Sequence, residues 1–128
     1  MGNGRGKSMA SRKIEDCLPA LQEKFLSFDS RMRTAGIDYI VTCTYRPQYE
    51  QDALYAQGRT APGRIVTWTK RSKHTLGRAF DIVILENGKP DWDAKNPKWK
   101  KAGEIGRSVG LKWGGDFSNP DMPHFEIG

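Results

Sequence analysis

The most restrictive stretch of the chain is residues 78–85, "RAFDIVIL", a β-branched and apolar run that contains a single acid, Asp81. Such a run specifies a strand. The acid raises the question of what gathers around it. His74 stands seven residues ahead in "SKHTLGRAFD", and the only other histidine, His124, follows Asp121 by three places in "PDMPHFEIG". A chain with two histidines places each beside an acid, in segments punctuated by glycine and proline.

The remaining elements follow from periodicity and punctuation. Leu18, Leu21, Phe25, Phe28 and Met32 recur at three- and four-residue steps, which predicts a helix that begins near Leu18, tolerates Pro19 in its first turn and ends at Gly36. Residues 37–45, "IDYIVTCTY", read as a strand, and residues 47–57 as a short helix opened by Pro47 and closed by Gly58. Residues 59–77 carry Pro, Gly and polar residues without a period, and a loop of that length in a compact domain points to function or disorder. After the strand comes a hairpin-like "ENGK". A helix capped by Asn96 and Pro97 then buries Trp99, Ala102, Ile105 and Val109, and "LKWGGDF" and "HFEI" read as two short final strands. The pattern is α+β: a small mixed or antiparallel sheet flanked by helices, in one domain over residues 13–128, behind a flexible N-terminal arm at residues 1–12.

Composition narrows the function classes. No apolar run approaches the roughly 20 residues that span a bilayer, so stable membrane association is not expected. The start, "MGNGRGKSMASRK", lacks the apolar segment of a secretory signal. Cys17 and Cys43 lack CxxC spacing and are expected to be reduced and packed. The net charge of +6 favours a polyanionic partner, but the basic residues never form a run of five or six, so a nucleic-acid tail is not indicated. The four tryptophans, Trp68, Trp92, Trp99 and Trp113, are expected in the core or at a rim rather than as substrate platforms.

If the strands carrying Asp81 and His124 are neighbours, His74, Asp81 and His124 converge. Two neutral imidazoles and one carboxylate make a sound donor set for zinc, with a fourth position left for water, as in catalytic sites. Asp121 is then placed to act as the proton acceptor that such a site needs. Each residue also has a plainer reading: a His–Asp hydrogen bond for the first pair, a turn residue after Pro120 for Asp121.

The stretch "SKHTLGRAFD" resembles the S-x-H-x-x-G-x-A-x-D signature of the VanY-like peptidoglycan peptidases, with Ser72, His74, Gly77, Ala79 and Asp81 on it. "DMPHFE" is similar to that family's second motif and "TYRPQYEQ" to its arginine-containing segment, so the resemblance runs over residues 42–126. It implies one zinc per chain held by His74, Asp81 and His124, a catalytic base at Asp121, and substrate or transition-state contact from Arg46. Ser72 would support the site from behind; Glu126 would either support His124 or be a solvated strand-end charge. The short endolysin branch is the nearest in pattern, with Phe117 and Thr44 as mild departures.

The implied activity is cleavage of the peptidoglycan stem peptide at the L-alanyl–D-glutamate bond, by a monomer that waits in the host cytoplasm until it is released to the wall. The alternatives are a D-alanyl-D-alanine carboxypeptidase and, in another class, a non-catalytic wall-binding module.

Overall fold

The computed structural model describes residues 10–128. Most of the expected arm, residues 1–9, lies outside the described residues. Its last part is already tied to the chain just beyond the first strand: the Ser11 amide donates to the Tyr45 carbonyl and its own carbonyl accepts from Thr44. A 3-10 turn over Ile14–Asp16 follows, which the periodicity did not foretell.

Helix α1 spans Pro19–Thr34, with the proline in its first turn. Strand β1 is Tyr39–Cys43, α2 is Gln48–Ala56 and β2 is Ala79–Glu86. The hairpin strand β3 is Lys89–Asp91, α3 is Pro97–Ser108, β4 is Lys112–Trp113 and β5 is His124–Glu126. The Asn96 side chain caps α3 by accepting from the Lys98 amide. The expected strand "LKWGGDF" stops after Trp113, because Gly114–Asp116 turns into a 3-10 helix.

All strand pairings are antiparallel, in the order β1-β2-β5-β4. Strand β2 is central: one edge takes β1, and the other is shared by β5 opposite Ala79–Asp81 and by β3 opposite Ile84–Glu86. Directly opposed residues in such a sheet project to the same face. Phe80 is opposite Phe125, and their rings stack at 5.4 Å on the face covered by helices. Phe25 and Phe28 of α1 pack edge-on or tilted against them, and Trp99, Ala102 and Ile105 of α3 complete the core. Burial of the larger of these apolar side chains, at roughly 1.5–3 kcal/mol each, anchors the sheet. The opposite face of the β1-β2-β5 row then carries Cys43, Asp81 and His124 side by side.

Candidate metal centre

Three elements deliver the site. Asp81 is opposite His124 in the β2–β5 register, while His74 comes from the turn just before β2. That turn closes through Gly77, whose φ of 69° is a left-handed conformation that few side chains accept. Its amide donates to the His74 carbonyl, so the imidazole is swung back over the strand.

Both histidines address the same oxygen. His74 Nε2 lies 3.0 Å from Asp81 Oδ1 and His124 Nδ1 lies 3.1 Å from it. The other nitrogen of each ring is tied off. His74 Nδ1 is 2.7 Å from the Thr44 carbonyl, which can only accept, so this nitrogen carries the proton. His124 Nε2 is 2.7 Å from Glu126 Oε1, a carboxylate held ionised by His124 itself despite partial burial. The nitrogens turned to Asp81 are therefore the ones free to bear a lone pair. This is the arrangement in which outer partners fix the tautomer of metal-ligating imidazoles.

The cluster is satisfied by protons or by a cation. Burial disfavours the charged form of His74, yet its hydrogen bonds to Asp81 and Cys43 override it and push its pKa up to about 10. His124 is raised to about 9 in the same way by Asp81 and Glu126. Burial alone would raise Asp81, but the two imidazoles hold it well below the usual carboxylate range. Two imidazole nitrogens and a carboxylate, with hard and borderline donors only, suit zinc.

A second grouping brings the Cys43 thiol within 4.8 Å of donor atoms of His74 and Asp81. The thiol meets His74 at 3.6 Å from Nδ1, the nitrogen already engaged by the Thr44 carbonyl, whereas His124 addresses Asp81 with a free one. The His74/Asp81/His124 set is the better one chemically. Cys17 and Cys43 are both buried and unpaired with each other, as their spacing led one to expect.

The remaining candidate residues surround a cleft of about 420 Å³, lined by Arg46, Asp121, Ser72 and Glu126 as well as the three central groups. Asp121 makes no side-chain hydrogen bond among the described residues. Burial, and next the charge of Asp81, raise its pKa above its ordinary value. Gly114 lets it in: a Cβ there would collide with the Asp121 carbonyl and with the His124 Cβ. The Asp121 amide also donates to the Gly114 carbonyl at 2.8 Å, and the His124 amide to the Asp121 carbonyl at 3.1 Å. The Ser72 hydroxyl accepts from the His74 amide at 3.1 Å, which steadies the turn.

Arg46 is placed by a residue to which the sequence reading gave no role. Its Nη1 donates to Gln51 Oε1 at 2.8 Å, and Gln51 Nε2 donates to the Thr69 carbonyl at 2.7 Å. Gln51 is fully buried, so it bridges the arginine to the cleft-wall loop. Thr44, also fully buried, supplies the carbonyl that fixes His74. The signal for Gln51 was its place in "TYRPQYEQ"; no side-chain signal marks a backbone carbonyl such as that of Thr44.

The D-alanyl-D-alanine carboxypeptidase family profile matches residues 66–127. The chain is 34% identical to the peptidoglycan L-alanyl-D-glutamate endopeptidase CwlK of Bacillus subtilis (strain 168), covering 88% of this chain and 74% of that protein. It is 31% identical to the L-alanyl-D-glutamate peptidase of Listeria phage A118, covering 94% of this chain but only 41% of that longer protein. Among solved structures, the Serratia marcescens L-Ala D-Glu endopeptidase ChiX superposes with a TM-score of 0.74 at 20% identity, over 94% of this chain and 89% of that one. VanYB in complex with D-alanine-D-alanine gives 0.60 at 18% identity, over 87% and 71%. The two structures share the fold, and the likeness to CwlK along most of both chains settles the kinship: the chain belongs to the VanY-like peptidoglycan peptidases.

Proposed function

We propose that the chain is a zinc-dependent endopeptidase that hydrolyses the L-alanyl–D-glutamate bond of the peptidoglycan stem peptide. The observation that carries the zinc reading is the convergence of two tautomer-fixed imidazoles on one oxygen of Asp81. The bond specificity is supported by the two curated relatives, each named for that bond. The family profile, named for D-alanyl-D-alanine carboxypeptidases, supports the alternative of trimming terminal D-alanine.

His74, Asp81 and His124 would hold the ion. Bound there, zinc supplies Lewis acidity toward the scissile carbonyl and lowers the pKa of water. Asp121 accepts the proton that the attacking water gives up and delivers it to the departing amine. Its partial burial beside Asp81 raises its affinity for that proton. Arg46, held by Gln51 at the cleft wall, offers donors to the oxygen on which negative charge develops. Ser72 and Glu126 act through the histidines they hold.

Every group in this scheme comes from one chain, which supports action as a monomer. Among the described residues no helix is long and apolar enough to cross a membrane. The kinship with a phage enzyme supports release from the host cytoplasm to the wall as its route. Digestion of purified peptidoglycan, with mass spectrometry of the products, tests the reading. New amino termini at D-glutamate are expected; release of D-alanine alone favours the carboxypeptidase, and no release with zinc present leaves only a wall-binding module.

A further inference from the structure

The wall of the cleft opposite the sheet is the loop at residues 59–73, whose charge is one-sided: five Lys and Arg and no acid, against a net charge of +6 for the whole chain. Val66, Thr67, Thr69 and Arg71 of this loop line the cleft. Trp68, between two of them, does not. It is 71% exposed, the most exposed large apolar side chain of the described residues.

The loop backbone at Trp68 is nonetheless fixed. The Arg59 guanidinium lies 3.9 Å from the centre of the Tyr55 ring and 5.7 Å from that of Trp68. It also donates to the Tyr55 carbonyl at 2.6 Å and to the Thr67 carbonyl at 3.1 Å, so one cation joins α2 to the residue before Trp68. Lys70 stands over the same Tyr55 ring at 5.3 Å. An indole that is backed by a guanidinium and otherwise open to water is pre-organised, and it loses little conformational freedom on binding.

The substrate chemistry says what lies there. In peptidoglycan the L-alanine of the stem is joined to the lactyl carboxyl of a muramic acid. A bond cut on the far side of that alanine is about two residue lengths, roughly 7 Å, from the sugar. A cleft that receives this bond must have the glycan strand crossing its rim. We propose that Trp68, with Lys70 and Arg71 beside it, is a platform for that strand: the indole stacks on the apolar face of a sugar ring, and the two cations meet the carboxylates of the attached stem. The proposal rests on the L-alanyl–D-glutamate reading for the placement of the sugar and extends it to a saccharide subsite. It also gives Trp68, for which core or rim was expected, a substrate role at the rim.

The test uses the full chain and a peptide-free glycan, the tetrasaccharide of alternating N-acetylglucosamine and N-acetylmuramic acid, titrated by tryptophan fluorescence and by co-sedimentation with peptide-stripped glycan strands. Wild type is expected to bind both. Trp68→Ala should bind at least tenfold more weakly with an unchanged melting temperature, and Trp68→Phe should recover most of the affinity. On cleavage, the loss in kcat/KM for Trp68→Ala should be at least tenfold greater on intact wall than on a sugar-free stem peptide. Undiminished glycan binding by Trp68→Ala, no glycan binding by wild type, or equal losses on the two substrates would each overturn the platform. Trp68-dependent glycan binding by a chain that leaves the L-alanyl–D-glutamate bond intact would keep the platform and reject the endopeptidase reading instead.

Discussion

His74 and His124 approach each other edge to face, ring centres 5.1 Å apart and planes at 71°, and both aim a nitrogen at Oδ1 of Asp81. Each imidazole needs a proton or a common cation between its nitrogen and that oxygen. About one zinc per chain is therefore expected by elemental analysis, with ligand distances of about 2.0–2.2 Å. Removing it with a chelator should abolish peptide release and adding it back should restore it. A fully active chain that contains no metal would refute the assignment.

The same cluster sets a pH signature for the metal-free protein. The folded pKa values of His74 and His124 are raised, to about 10 and about 9, from 6.5. Their stabilising contribution is complete below pH 6.5 and is lost as pH rises through 9 to 10, when the imidazoles lose the protons that face Asp81. Asp81 is shifted down, so its contribution is present above its ordinary pKa of 3.8 and is lost as the solution is acidified below that. Chelated protein should melt at least about 4 °C lower at pH 10 than at pH 6, a shift of the size that about 1 kcal/mol produces. Zinc should flatten that slope. A melting temperature that rises over this range would contradict the cluster's sign.

Asp121→Asn should keep zinc and lose most turnover, because it spares the three donors and removes the proton acceptor. A loss of about 10²–10⁴-fold in kcat is expected. Metal content and rate, measured on the same sample, separate the outcomes: loss of zinc makes Asp121 a ligand, and undiminished turnover makes it a turn residue.

Arg46→Ala distinguishes substrate holding from charge stabilisation. A fall in kcat of roughly 3–4 kcal/mol in barrier terms is expected if the guanidinium meets the developing charge. A rise in KM with kcat unchanged would show instead that it holds a substrate carboxylate throughout. Lysine at this position should recover only part of the rate, since a point charge lacks the planar fork.

Gln51→Ala leaves Arg46 Nη1 and the Thr69 carbonyl without their partners inside the protein. A stability loss of about 1–3 kcal/mol is expected in chemical denaturation. Because the bridge spans α2 and the cleft-wall loop, kcat should fall with it, and backbone hydrogen exchange at residues 66–70 should quicken. Unaltered exchange there would show that Gln51 does not hold the loop.

Much of this was legible in the chain. The β-branched apolar run of residues 78–85 marked β2, and the structure adds the turn at Gly77 that brings His74 back to it. The nearness of Asp81 to His124 followed only if β2 and β5 were neighbours, and nothing local decides which edges pair; the Phe80–Phe125 stack on the other face is what fixes that register. The links from Gln51 to the Thr69 carbonyl and from His74 to the Thr44 carbonyl were not legible, because these partners are 18 and 30 residues apart and one group of each pair is backbone. The expected final strand over "LKWGGDF" ended early because Gly114 and Gly115 offer the sheet no side chains to pack, while the turn they form seats Asp121.

Gly114 gives the site its gauge. The spacing between Asp121 and His124 is set by the bare α-carbon against which the Asp121 carbonyl and the His124 Cβ both rest. A single methyl group at this position, bearing no charge, would act as a wedge between the two. The depth of the seat is thus written in a residue with no side chain.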